Sequence, residues 1–325
     1  VIKPPLQWLF RSGCVLSLGW PLLAQSQPLP TVNQNPLLQS FGLPAAASSQ
    51  PLATGKWALQ LRLDQSNTLN LESKTDEKLL IDSENSLQSL HIEYGLNSEW
   101  NLSANLAYLN VNAGQLDTFI DDFHNLFGFP QGARPFYPNH QLHLMYEKEG
   151  IEQFNISQPQ SGLLALRLGA TVQLPSQPQQ QSNLRFTLQL PNQKTSLLTA
   201  SSTLSAQWNQ HNRWLERWSS DHSLALLWHQ PNGLLTEQQN RWLLLWSLGL
   251  SYRHSSLLEY TLQLDGHSAP FKQTQLIFLG SSVQLAIGGT LHFTPKRGLN
   301  IAVVEDIQVG ASPDVNFHLS WHQQW

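Results

Sequence analysis

Long stretches of the chain place apolar and polar residues on alternate positions. Trp57, Leu59, Leu61 and Leu63 alternate with Ala58, Gln60, Arg62 and Asp64, and Leu90, Ile92 and Tyr94 with His91 and Glu93. The pattern returns in Trp100 to Tyr108, Leu164 to Leu174, Leu184 to Leu190, Trp242 to Tyr252, Leu258 to Leu264, Leu285 to Phe293, and again from Val315 to Trp325. Successive side chains of a strand point to opposite faces, so each stripe is one face of a sheet. A soluble sandwich also alternates. Its strands average about 5–6 residues, however, whereas a tilted strand crossing a bilayer needs about 9–11. Several stripes here reach the longer figure, and their polar faces carry small and amide residues in place of a Lys/Glu mixture. Aromatic residues recur at stripe ends (Trp57, Tyr94, Trp100, Trp228, Trp242, Tyr252, Trp325), as the two interfacial girdles of a membrane barrel require.

The predicted architecture is therefore all-β: a transmembrane, antiparallel, up-and-down β-barrel of about 12 strands (12–14), with one helix-bearing loop. Alternating passes place compact turns at 95–99, 158–162, 191–195, 231–233, 265–270 and 294–298 on the periplasmic side. They place the insertion 110–140 and the polar stretch 207–222 on the other side.

Composition narrows the class. Of 325 residues only 12% are charged, and the mean hydropathy is −0.27, too polar for a bundle of membrane helices and poor in charge for a soluble enzyme. A net charge of −4 with scattered Lys and Arg argues against nucleic acid as a partner. Residues 1–24 read as a secretory leader, with Lys3 and Arg11 ahead of an apolar core, Val15 to Ala24, and cleavage after Ala24. The single cysteine, Cys14, lies inside it, so the mature chain carries neither disulfide nor thiol chemistry. Residues 25–54, rich in Pro, Gln, Ser and Ala, read as an irregular periplasmic segment able to plug the barrel, which occupies 55–325.

The segment DTFIDDFHNLFGFPQGARPFYPNH (117–140) changes the period. Phe119, Ile120, Phe123, Leu126 and Phe127 recur at helical spacing, with Gly128 and Pro130 as stop signals. A helix here either enters the lumen as a constriction or caps the barrel mouth. Asp117, Asp121, Asp122, His124 and Arg134 are its candidate charged residues, and the inward bases Arg167, Arg185 and Arg241 are their expected partners. Adjacent Asp121, Asp122 and His124 do not share a helix face, so a metal site is not expected, nor is a cofactor. Catalytic templates are weak. The run SSDHS (219–223) sets Ser, Asp and His side by side, but a triad is recognised by spatial roles and not by adjacency.

Asn33-Gln34-Asn35-Pro36, Phe41-Gly42-Leu43-Pro44, and Phe123-His124 leading to Gly128-Phe129-Pro130-Gln131-Gly132 resemble the domain-of-unknown-function 3187 family of Gram-negative outer-membrane proteins, as do VVED (303–306) and the closing strand. The resemblance implies an outer-membrane β-barrel and supplies no reaction. The expected role is passive passage or binding of a small solute. A lipid-modifying hydrolase of the outer membrane and a structural or assembly component without transport are the alternatives. Expected partners are outer-membrane lipid, the insertion machinery and periplasmic chaperones. Phe317, Leu319, Trp321 and Trp325 form the terminal stripe such machinery reads.

Fractionation should recover the mature chain in the outer membrane with heat-modifiable gel migration; a soluble periplasmic protein would sink the barrel reading. Changing Trp321 and Trp325 to Asp should lower membrane levels, because a charge on the lipid face costs up to a few kcal/mol at mid-membrane and less near the interface.

Overall fold

The computed structural model describes residues 26–127, 137–177, 179–192 and 196–325. Twelve antiparallel strands close into a barrel. In wall order they are β1 (Trp57–Ser73), β2 (Glu77–Gly95), β3 (Trp100–Asn112), β6 (Gln160–Gln173), β7 (Gln180–Gln189), β8 (Thr203–Arg213), β9 (Trp218–His229), β10 (Trp242–Arg253), β11 (Leu258–His267), β12 (Ser282–Thr294), β13 (Arg297–Asp306) and β14 (Val315–Gln324). β14 returns to β1 with Ala58 opposite Gln324 and Asn67 opposite Val315, so the sheet has no open edge around the ring. A short hairpin, β4 (His143–Lys148) and β5 (Ile151–Ile156), hangs on the outer stretch of β2, with Asp82 opposite His143. One helix, α1 (Asp117–Phe127), occupies the connection between β3 and β4, over the residues whose period predicts it.

Wall strands run from 10 residues in β7 to 19 in β2, all long enough to cross a bilayer when tilted. The burial pattern inverts that of a soluble protein. Leu61, Leu106, Leu168, Phe186, Leu226, Leu250, Leu262 and Ile301 are exposed, whereas Asp64, Asn183, Gln207, Ser223, Thr261, Asn300 and His318 are buried. An apolar exterior around a polar lumen is what lipid on one side and hydrogen-bonding groups on the other select. At the end where β1 begins and β14 finishes, aromatic rings pair across neighbouring stripes: Trp57 with Tyr94 at 4.7 Å and Trp218 with Tyr252 at 4.8 Å between centroids. This end carries the short turns, so it faces the periplasm.

The sides assigned from the sequence need correction. Turns at 95–99 and 294–298 lie at the periplasmic end as expected. The segments at 158–162, 231–233 and 265–270 lie at the opposite end, as do Pro191 and Asn192 of 191–195. The connection 214–217, expected outside, joins β8 to β9 at the periplasmic end. The cause is the β4–β5 hairpin. Read as one descending wall strand, 143–156 reverses the sense of the strands that follow it.

Residues 26–56 precede the wall and are not part of it. They run up the lumen beside β11, turn in a 3-10 helix, Pro36–Phe41, and descend beside β8 and β7 to β1. Asn35 opens that helix: its Oδ1 accepts the Leu37 N–H at 2.9 Å and Pro36 takes the first position. Gly42 closes it at φ +67, in the left-handed region, where a Cβ would also strike the Gln189 side chain. The turn carries Leu37, Leu38 and Phe41 into an apolar cluster with Ile81, Leu109, Val111, Leu144, Leu227, Leu243 and Phe278, which fills the outer half of the barrel. Phe41 is fully buried, 4.3 Å from the His229 ring and 5.6 Å from Phe271.

Removing that ring should release the segment. Phe41→Ala is expected to cost about 3–5 kcal/mol of local stability, read as faster amide hydrogen exchange across 36–46 with the wall still protected. Unchanged exchange there would mean that something other than the outer cluster holds the segment.

Candidate functional site

The lumen segment, termed here the strap, is held by wall side chains at every level. Ser26 Oγ donates to Glu259 Oε1 at 2.9 Å near the periplasmic end of β11. Higher up, Gln263 Oε1 accepts the Leu29 N–H at 3.0 Å while Gln263 Nε2 donates to the Leu29 carbonyl at 2.7 Å. Thr31 Oγ1 donates to Asp265, and Asn33 Nδ2 donates to His267 Nε2 at 2.9 Å. Asn35 Nδ2 reaches the Phe278 carbonyl at 3.1 Å, and Asn85 Nδ2 donates to the Gln34 carbonyl at 3.0 Å. The Asn-Gln-Asn-Pro motif is therefore the fastening at the top of the strap. On the descending limb, Thr203 Oγ1 donates to Phe41 O at 3.0 Å, Gln207 Nε2 to Ala45 O at 2.8 Å and Asn183 Nδ2 to Ser48 O at 3.0 Å.

Between the strap and the wall formed by β1–β3 and β6–β8 lies a cavity of about 200 Å³. It extends from Ala58, Glu93 and His322 at the periplasmic end to Leu87 and Ala107 under the apolar cluster. Its charged lining is Arg62, Arg167 and Arg185 against Glu93. Arg62 forms a buried ion pair with Asp64, which also accepts from His318 Nδ1 at 2.9 Å. Arg185 stands 3.7 Å from Glu93. Arg167 Nε donates to Gln189 Oε1 at 2.8 Å, while Gln189 Nε2 donates to Ser40 O at 3.1 Å and Ser201 O at 3.0 Å. One amide thus ties an arginine of the cavity to the strap.

The α1 carboxylates take different places. Asp117 accepts from Asn67 Nδ2 at 2.8 Å and from the His140 N–H at 2.7 Å. Asp121 accepts from Asn139 Nδ2 at 3.2 Å, and Asp122 is exposed. Glu84 receives the Gln115 N–H at 2.6 Å and also the Leu116 N–H. Asn67 and Glu84 occupy outward positions of their strands, one residue off the lumen positions Ser66 and Asn85, and Phe119 lies 6.0 Å from outward-facing Phe317. The helix consequently leans on the outer flank of β1, β2 and β14, and none of Asp117, Asp121 and Asp122 lines the lumen cavity. The side chain of His124 and the whole of Arg134 lie outside the described residues, as does Ala24. Of the expected inward bases, Arg167 and Arg185 line the cavity, whereas Arg241 is exposed between strands. Among the described residues no cluster of His, Cys, Asp or Glu has a metal-binding arrangement.

The run 219–223 divides between the two faces of β9. Asp221 turns into the lumen and accepts from His211 Nδ1 at 3.0 Å. Ser220 and His222 share the outward face, with Ser220 Oγ 2.9 Å from His222 Nε2, and the Trp214 indole N–H donates to the same Oγ at 2.9 Å. At the closing strand, Phe317, Leu319 and Trp321 alternate with buried Asn316, His318 and Ser320, and the Trp325 N–H donates to Trp57 O at 3.0 Å. Beyond the membrane, Tyr146 of β4 donates to Glu77 at 2.6 Å; burial, then that bond, pushes its phenol pKa well above the usual value. Sequence reasoning passed over Arg62, Gln189 and Gln263 as site residues. Their signal was a long polar side chain on the inward face of a stripe.

A closed antiparallel barrel with an apolar, aromatic-girdled exterior and a strap-filled polar lumen is an outer-membrane β-barrel, and the outer membrane is its location. The chain belongs to the family described as protein of unknown function (DUF3187), whose model matches residues 14–325. Its fold is that of the COG4313 outer membrane channel from Pseudomonas putida F1, with a TM-score of 0.56 at 12% identity, covering 86% of this chain and 98% of that one. The NanC porin aligns with a TM-score of 0.47 at 9% identity over 82% of this chain and 98% of its own. No curated protein sequence matches.

Because α1 stands on the outer flank, Asp121→Asn with Asp122→Asn should leave the ion preference of any lumen conductance unchanged in planar bilayers. Exposed charges there are screened within about 8 Å at physiological salt. A clear loss of cation preference would put the helix in the ion path.

Proposed function

We propose that this barrel passes or binds a small solute across the outer membrane, and that the strap governs its opening. The observation that carries the reading is the division of the lumen into two halves. Its periplasmic half holds a polar cavity of about 200 Å³ beside the strap. Its outer half is filled by the apolar cluster around Leu37, Leu38 and Phe41, all three from the strap. Passage through the barrel requires that cluster to part, and among the described residues the strap is the only portion of it outside the wall and its connections. Residues 1–24 act as the leader, cleaved after Ala24. The stripe of Phe317, Leu319, Trp321 and Trp325 addresses the Gram-negative insertion machinery, with periplasmic chaperones carrying the chain there.

A lipid-modifying hydrolase is the second reading, favoured by one observation: Ser220 and His222 meet at 2.9 Å on the lipid-facing side of β9. Against it, Ser220 is buried and its oxygen already accepts the Trp214 N–H, which covers the approach to a nucleophile. Release of fatty acid from phospholipid, lost in Ser220→Ala and in His222→Ala, would promote this reading over the first.

The strap can be locked. Ser201 N donates to Ser40 O at 3.0 Å, so a cysteine pair at these two positions is close enough for a disulfide. The mature chain carries no native thiol, since its one cysteine is Cys14. Ser40→Cys/Ser201→Cys should pass solute or ions when reduced and at least tenfold less when oxidised. Equal conductance in both states would make the strap a fixed filling. Absence of conductance in the reduced variant and in the parent chain would leave the structural role.

A further inference from the structure

We infer that the lumen cavity is a binding site for a small oxyanion, a carboxylate or phosphate group, held by Arg167. Three arginines and one carboxylate line a cavity whose polar walls also include Gln60, Ser89, His91, Asn105, Thr187 and Gln207. The two ion pairs described there, Arg62 with Asp64 and Arg185 with Glu93, leave Arg167 without a carboxylate partner among the described residues. Arg62 is itself only partly satisfied. Its Nε is taken by Asp64, while its Nη2 is buried with no hydrogen-bond partner. Arg167 is only half-buried and lines the cavity, so an anion bound there would supply the counter-charge its guanidinium lacks.

The register brings these groups to one part of the wall. Arg167 pairs with Asn105, Asn105 with His91 and His91 with Gln60, and Arg62 is the next inward position after Gln60. Gln189 holds Arg167 by its Nε at 2.8 Å, which restrains the guanidinium and leaves its terminal nitrogens for other partners. Arginine's planar fork matches the two oxygens of a carboxylate or phosphate. Size sets the rest of the ligand. An engineered apolar cavity of about 150 Å³ takes a benzene ring, so about 200 Å³ admits a compact acid of similar bulk.

The inference rests on the solute reading above, naming the chemical class, and its test keeps the two apart. Benzoate, its neutral isostere benzamide and inorganic phosphate would be titrated calorimetrically into the folded mature chain in detergent. Benzoate should bind at least tenfold more tightly than benzamide, and Arg167→Gln should weaken benzoate at least tenfold while leaving benzamide and heat-modifiable migration unchanged. Phosphate that displaces benzoate assigns the site to both oxyanions; phosphate that does not confines it to carboxylates. Benzoate no tighter than benzamide, or a folded Arg167→Gln chain that binds like the parent, overturns the site. Should Arg167→Gln fail to fold, the benzoate-to-benzamide ratio of the parent decides alone. Benzoate binding without bilayer conductance keeps the site and removes passage, whereas conductance without any preference for benzoate does the reverse.

Discussion

An irregular segment can rest inside a β-barrel only where the wall supplies the hydrogen bonds that its own backbone lacks. The strap of this protein has one short 3-10 helix, Pro36–Phe41, and no ladder. Its carbonyls and amides are answered instead by Gln263, Asn85, Gln189, Thr203, Gln207 and Asn183, each from an inward position of a wall strand. Each buried backbone group left unpaired would cost about 1–3 kcal/mol. The amide-rich lumen is thus part of the strap's structure as well as a wet lining. The cavity lies in the space these anchors leave between the strap and the wall.

The two halves of the lumen follow from this arrangement. Where the strap turns, its side chains Leu37, Leu38 and Phe41 are apolar and the facing wall residues are apolar too, making a core of the kind found in soluble proteins. Where its limbs run vertically, the contacts are polar and space remains, and the arginines collect there. Gln189 joins the halves, since its amide nitrogen holds the strap at Ser40 and its amide oxygen holds Arg167. Movement of the strap and orientation of that arginine are mechanically linked through one side chain.

Much of the barrel was legible in the chain. Stripes such as Trp242 to Tyr252 state both the period and which face meets lipid, because alternation in a membrane strand records two different solvents. The helix at Asp117–Phe127 was legible from its period as well. Its placement was not, since amphipathicity says that one face is covered without saying by what. The covering groups, Asn67, Glu84 and Phe317, are outward polar or aromatic positions that resemble ordinary rim residues. The strap was least legible. Its bonds join residues from 51 positions apart, as between Gln34 and Asn85, to 243, as between Asn35 and Phe278, and a Pro- and Gln-rich segment carries no period to announce them. The β4–β5 hairpin misled for the opposite reason, having a wall-like pattern without a place in the wall.

The strap begins beside Glu259 and ends at Trp57, both at the periplasmic rim, having gone up and come back. A segment passing once through a closed ring would be threaded, removable only by drawing a free end through or by opening the ring. From Ser26 to Trp57 the strap is doubled back and does not pass through the ring. It can slide out toward the periplasm as a bight of rope leaves a tube, breaking none of the bonds between wall strands. The topology therefore lets the ring close before, during or after the lumen is filled, and assembly of the wall imposes no order on the two events.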